Sequence, residues 1–145
     1  MAGLWLDSGT YRLPQGVRAR SSLVVANQTG ITTEADLTNM TATFVADAGR
    51  LYSVKVVGMC SASVAGDRAG VRIYGGSTAY QDRIVLLGSA FVEVDADAEV
   101  LISGLPAGSI TFKAALRRAG GTGTISWIAS ASSPAYLLVE DLGPA

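Results

Sequence analysis

Four acids alternate along the run FVEVDADAEV, residues 91–100, the densest group of ionisable side chains in the sequence. In an extended strand Glu93, Asp95, Asp97 and Glu99 share one face, and Val94, Ala96, Ala98 and Val100 the other. Aligned carboxylates are hard oxygen donors suited to Ca2+, but the run lacks the glycine-bearing loop register of a helix–loop–helix calcium site. The plainer reading is a solvated strand face, or a hairpin tip at Asp95–Asp97, whose charges discourage edge pairing. No metal ligand is assigned. Histidine is absent, which removes Ser-His-Asp and Cys-His relays and the imidazole ligands of most catalytic zinc sites. Cys60, alone in YSVKVVGMCSAS, reads as a buried thiol and excludes an internal disulfide framework. No carboxylate pair stands out as the acid and base of a glycosidase. The expectation is therefore no enzyme, no catalytic residue and no cofactor.

The glycine-rich RAGGTGT, residues 118–124, invites comparison with phosphate-binding loops. A Walker loop needs Lys followed by Ser or Thr and then a helix; here Gly123 leads into a strand, so a glycine turn between two strands is the better reading. Asp7, Asp67 and Asp82 sit beside turn residues and read as turn formers. Trp5, Tyr11, Tyr52, Tyr74, Tyr80, Trp127 and Tyr136 are scattered aromatics, better suited to core or interface than to a sugar platform. Arg12, Arg18 and Arg20 cluster near the start without stacked aromatics, a poor nucleic-acid signature. With a formal charge of −1 there is no global field to draw nucleic acid or an anionic membrane.

The elements that must position these groups are strands. Apolar runs recur at Leu23–Ala26, Thr41–Ala46, Tyr52–Ser61, Ala69–Tyr74, Arg83–Leu87, Phe91–Asp95, Glu99–Ser103, Ser109–Arg117, Thr122–Ala131 and Ala135–Glu140. Breakers separate them: NQTG, DAG, AGD, GGS, LPAG and AGGTG. No segment holds a helical period, though TTEADLTNM admits one turn capped by Thr33. Short strands with frequent turns predict an all-β, antiparallel sandwich, with the eight-stranded jelly roll fitting the count. Residues 1–20 stand apart as an extended N-terminal arm, too poor in apolar positions for its own core, and residues 21–145 form the β-sandwich domain.

A chain of 145 residues can bury its own core as one domain. Its residues are 49% hydrophobic and only 16% charged, which suggests further surface buried against copies of itself or a partner. The N-terminus lacks the basic and apolar regions of a signal peptide, and no apolar run approaches the ~20 residues of a membrane span. Synthesis in a cytoplasm and no membrane partner are expected. Nine arginines against two lysines, with much Ala, Gly and Val, suggest a GC-rich genome.

Three segments carry a resemblance: ANQTGITTEADLTNMTATFVADAGRLYSV, AGDRAGVRIYGGST, and GLPAGSITFKAALRRAGGTGTISWIASASSPAYLLVEDLGPA. They resemble the small minor-tail, fibre-head and decoration proteins of bacteriophages that infect GC-rich actinobacteria. Most of the match lies in Ala107-Gly108 before TFK, Arg117-Arg118 before GTGT, and the closing PAYLLVEDLG. The resemblance implies a virion protein with a jelly-roll-like β domain, assembled as a homotrimer, and no catalytic residues. A capsid decoration protein is the preferred form. On that reading Leu4, Trp5, Leu6, Tyr11 and Leu13 fill grooves on the major capsid protein, while Arg12 and Arg18 pair with rim carboxylates. Trp127, Tyr136 and Leu138 are then expected at the oligomer interface. The alternative is a minor tail or fibre-head protein binding a host receptor or glycan, with Tyr74 and Tyr80 as contacts.

Overall fold

The computed structural model describes residues 16–145. Twelve strands form, and no helix does among the described residues: β1 Gly16–Arg20, β2 Gln28–Ile31, β3 Ala35–Ala46, β4 Arg50–Val57, β5 Met59–Ala62, β6 Asp67–Gly75, β7 Thr78–Leu87, β8 Val94–Asp95, β9 Ala98–Ile102, β10 Gly108–Gly120, β11 Ile125–Ile128 and β12 Tyr136–Pro144. Two four-stranded sheets, β1-β12-β4-β9 and β3-β10-β6-β7, carry the sandwich, and every pairing in them is antiparallel. They meet along their flanks, β1 against β3 and β9 against β7. Eight strands paired this way, first with last and inwards to a central hairpin, make a jelly roll.

Alternation dictates which side chains enter. Tyr52, Val54 and Val56 of β4 and Leu137 and Val139 of β12 face inwards, against Ala42 and Phe44 of β3, Phe112 and Ala114 of β10, and Val71 and Ile73 of β6. Phe44 meets Tyr52 edge-on at 5.1 Å and stacks on Phe112 at 6.2 Å, the off-parallel and offset arrangements that aromatic quadrupoles favour. The Tyr52 hydroxyl reaches out of this cluster, accepting the Asp47 N–H at 2.8 Å, and so ties the β3–β4 turn to the core.

A third sheet, β2-β11-β5-β8, closes one end. It exists because two long strands change sheets at one corner. The run expected as a single strand over Tyr52–Ser61 breaks at Gly58 into β4 and β5. Beside it, the acidic run breaks between β8 and β9. The Gly58 N–H donates to Asp97 Oδ1 at 3.0 Å, and the Ala96 N–H donates to the Gly58 carbonyl at 2.9 Å. Gly58 is required here, since a Cβ at this position would clash with the six-membered ring of Trp127. Across the corner the alternation persists: Glu93, Asp95, Asp97 and Glu99 are exposed while Ala96 and Ala98 are buried. Among the described residues no cluster of three metal-ligating side chains forms.

Other expectations change. Residues 33–40 hold no helical turn; β3 starts at Ala35, and a positive φ of 61° at Asn39 lies where its pairing with β10 shifts register. Asn is one of the few side chains that adopts this conformation readily. Leu23–Ala26 contributes one bridge, Val24 to Ala135, and the strand lies instead at Gln28–Ile31, inside what reads as a turn. Gln28 explains this: its side-chain oxygen accepts the Thr38 N–H at 2.9 Å and its amide donates to the Asp36 carbonyl at 3.0 Å, lacing the segment to β3.

Candidate interaction surfaces

Three features of the surface are built rather than incidental: the root of β1, and the outward faces of the two large sheets. The root comes first in the chain. β1 pairs with β12 through Val17↔Glu140 and Ala19↔Val139, leaving Arg18 as the extra residue of a bulge. The bulge turns Arg18 towards the sandwich rim, where its guanidinium bonds Asp47 at 2.5 Å and lies 3.8 Å from Asp141. Asp141 has a fully buried side chain. It accepts Arg50 Nε on both oxygens, at 3.0 and 3.1 Å, and the Gly143 N–H at 2.9 Å. Burial alone would raise its pKa; the Arg50 hydrogen bonds, the Gly143 amide and the two guanidinium charges outweigh burial and hold the carboxyl below its ordinary range. Ser21 extends the pairing, its N–H donating to the Leu137 carbonyl and its hydroxyl accepting the Leu137 N–H.

The outward face of β1-β12-β4-β9 follows from register. Residues directly opposite one another share a face, which gives one row Val17–Glu140–Ser53–Leu101 and a second Arg20–Leu138–Lys55–Glu99. Tyr136 and Val57 begin a third. Val17 is 62% exposed and Leu101 58%. Within this face Ser53 donates to Glu99 at 2.6 Å, but among the described residues no ion pair involves Arg20, Lys55, Glu99 or Glu140.

The outward face of β3-β10-β6-β7 is wired differently. Arg72 bonds Glu34 at 2.6 Å and Asp82 at 3.2 Å, Arg117 bonds Asp82 at 2.6 Å, and Lys113 bonds both oxygens of Asp36. Tyr74 donates to Glu34 and lies under the Lys113 ammonium at 5.4 Å. Burial favours a raised Asp82 pKa, yet hydrogen bonds from Arg117 and Arg72 overcome it and lower the value. The Lys113 pKa is raised by its hydrogen bond to Asp36. Thr43 and Thr111 bond across strands at 2.6 Å. Arg68, opposite Leu86 at the end of this face, is in no ion pair among the described residues; the charges at its centre find their counterparts within the chain.

The glycine-rich loop binds an anion, but the chain's own. Asp67 is buried, and its two oxygens accept the N–H groups of Thr122 at 3.1 Å and Gly123 at 2.9 Å. Gly121, at φ 99°, leaves no room for a Cβ beside that carboxylate. The expected strand over Thr122–Ala131 is accordingly shortened to β11. Asp67 is thus an internal tether rather than a turn former, and Asp82 belongs to an ion-pair network.

Of the arm residues, Leu4, Trp5, Leu6, Tyr11, Arg12 and Leu13 lie outside the described residues. Arg18, assigned with them from sequence, is part of the sheet and pairs internally. Trp127 lies in the protomer core, 1% exposed, and so offers no surface to a neighbouring copy. Tyr136 and Leu138 do point outwards on β12, half-buried. Tyr74 and Tyr80 form no common platform: Tyr74 is on the outward face, whereas Tyr80 packs inwards on Phe112 at 5.9 Å. Cys60 is buried, and burial pushes its thiol up to about 11. Sequence patterning gave no sign of Arg50 and Asp141, whose contact spans 91 positions.

No protein-family model matches the chain, and no curated protein matches it. Among solved structures, a chain in the structure of the infectious bursal disease virus Gx strain superposes with a TM-score of 0.53 at 18% identity, covering 99% of this chain and 36% of that one. A chain in the infectious bursal disease virus VP2 subviral particle gives 0.46 at 14% identity, covering 100% and 43%. Latent PorU from Porphyromonas gingivalis gives 0.43 at 12%, covering 88% and 11%. This chain spans less than half the length of these matches. At such identities the likeness is one of fold, and only the Gx-strain superposition bears on it.

Proposed function

We propose that this chain is a non-enzymatic structural protein of a bacteriophage virion, a capsid decoration protein that attaches to the assembled head through its N-terminal segment. The observation that carries the reading is the jelly roll itself, complete within the described residues and similar in fold to a chain of a virus particle. The sequence resemblance to phage virion proteins supports it independently. In this scheme Leu4, Trp5, Leu6, Tyr11 and Leu13 enter apolar grooves of the major capsid protein and Arg12 meets rim carboxylates. Arg18 acts at the root, where its bonds to Asp47 and Asp141 give the segment a fixed point of departure. An arm of this kind adds interface only where a partner groove receives it.

A minor tail or fibre-head role is the second reading, and one feature favours it. Phe91 is 77% exposed and held at φ 58°, a conformation that costs a bulky residue about 1–2 kcal/mol. Its N–H is fixed to the Ala62 carbonyl at 2.7 Å, and Val92 beside it is also exposed. Strain that presents an apolar side chain to solvent is a mark of binding loops.

Immunogold labelling of intact virions separates the two. Gold over heads supports decoration, and a protein lacking residues 2–15 is then expected to fold normally but fail to coat particles. Gold confined to tail ends supports the second reading. Unlabelled particles, with an antibody proven on the purified protein, overturn both.

A further inference from the structure

We infer that the outward face of β1-β12-β4-β9 pairs with the same face of a second copy, around a twofold axis parallel to the strands and midway between β12 and β4. This goes beyond the virion reading and stands without it. Such an axis lays β1 over the partner's β9 and β12 over its β4 while keeping each row at its own height. Register then fixes the contacts. Arg20, at one flank of its row, meets Glu99 of the partner subunit at the other flank, and Val17 meets Leu101 of the partner subunit. Tyr136 comes over the partner's Val57. Each contact occurs twice, as an isologous interface requires.

Charge complementarity selects this occupant. The face carries two cations and two acids, Arg20 and Lys55 with Glu140 and Glu99, and among the described residues none is in an ion pair. The twofold places Arg20 against the partner's Glu99, and brings the partner's Glu140 to the row next to Lys55, one strand repeat of about 6.8 Å away. Arg20 and Glu99 are thus answered directly, Lys55 itself comes under the partner's Leu138, and no like charges oppose. Packed sheets of this kind lie about 10 Å apart with strands within about 30° of parallel, which these short strands accommodate. A threefold axis cannot lay the face on itself, so a trimer built on Tyr136 and Leu138 forfeits this pairing. Four strands about 4.8 Å apart make a face only about 19 Å wide. Over three rows about 6.8 Å apart it covers roughly 400 Å2, about half the ~800 Å2 per partner of a standard interface, so the dimer is a weak one.

Sedimentation velocity on the full chain across micromolar concentrations tests this. The wild type is expected as a monomer–dimer equilibrium. Arg20→Glu and Glu99→Arg each oppose like charges twice and are expected to weaken it on the order of a hundredfold. An equimolar mixture of the R20E and E99R proteins is expected to form a heterodimer, because their altered flanks are complementary. Arg20 and Glu99 are exposed, and thermal melts of each variant establish that the fold is kept. A strictly monomeric wild type, a trimer, a dimer indifferent to both substitutions, or a mixture that fails to associate each overturns the inference. So does loss of the dimer on removing residues 2–15, which would make the N-terminal segment the true occupant.

Discussion

The two outward faces of the sandwich are built on the same backbone pattern and treat charge in opposite ways. On β3-β10-β6-β7, Arg72, Arg117 and Lys113 are each bound by an acid of the same chain, and a threonine pair bridges the strands. On β1-β12-β4-β9 the charges stand without ion-pair partners among the described residues, between apolar side chains at both flanks. The paired charges at the centre of that face have little to offer a second protein, because a partner must displace contacts already made, although Val45, Ile84 and Leu86 stay exposed around them. A face with unanswered charge and exposed Val17 and Leu101 gains by being covered. The difference teaches that the outward surface of a sandwich is read row by row, from which residues lie opposite, rather than from composition.

The sharpest break in the comparison comes from the acids beneath each face. Asp141→Ala removes the buried partner of Arg50 and is expected to cost about 3–5 kcal/mol in urea denaturation, since a charge is left uncompensated. Its pH dependence has a definite sign. The folded-state pKa is lowered, so the stabilisation is present above the unfolded value of about 3.9 and is lost as pH falls through the folded value. The gap between wild type and Asp141→Asn should therefore narrow on acidification below that range. A gap constant down to the acid limit would show that the carboxylate's charge contributes nothing.

Next in size is Leu138→Lys, which sets a second ammonium over Lys55 of the partner subunit. It should abolish self-association at micromolar concentrations while changing monomer stability by about 1 kcal/mol or less. If association survives, the two faces do not differ as described. Asp82→Ala, on the other face, leaves Arg72 and Arg117 side by side but half in water. A loss of about 1 kcal/mol with unchanged sedimentation is expected. The smallest effect is that of Lys113→Ala, about 0.5 kcal/mol or less, again without effect on association. A change in association from either substitution would move the interface to the other sheet.

Much of the fold was legible because alternation is a local property. The swing of Leu137 and Val139 inwards and of Tyr136 and Leu138 outwards can be read in six residues, and so can the two-sidedness of the acidic run. Gly58, however, reads as a mid-strand glycine, and only the indole of Trp127, 69 positions on, makes it a corner. Trp127 lies on the apolar side of its strand, yet alternation cannot tell a core position from an interface. Arg18 falls in a polar, proline-flanked region and reads as arm, since Asp47 and Asp141 become its neighbours only when β12 lies beside β1. Gln28 looks like turn composition until its side chain finds β3. Each miss has the same physical cause: a polar or small residue whose role is set by a partner distant in sequence.

That β12 lies between β1 and β4 has a consequence for how the molecule is made. A chain emerging from the ribosome holds β1 and β4 early, but until residues 136–144 are synthesised β1 has no neighbour in the sheet and β4 has only β9. Until then both present bare backbone donors and acceptors, and the inward Tyr52, Val54 and Val56 lack Leu137 and Val139 beside them. Closure waits on the longest-range pairing in the molecule, the kind that folds slowly. The nascent protein thus keeps open strand edges until β12 inserts between β1 and β4.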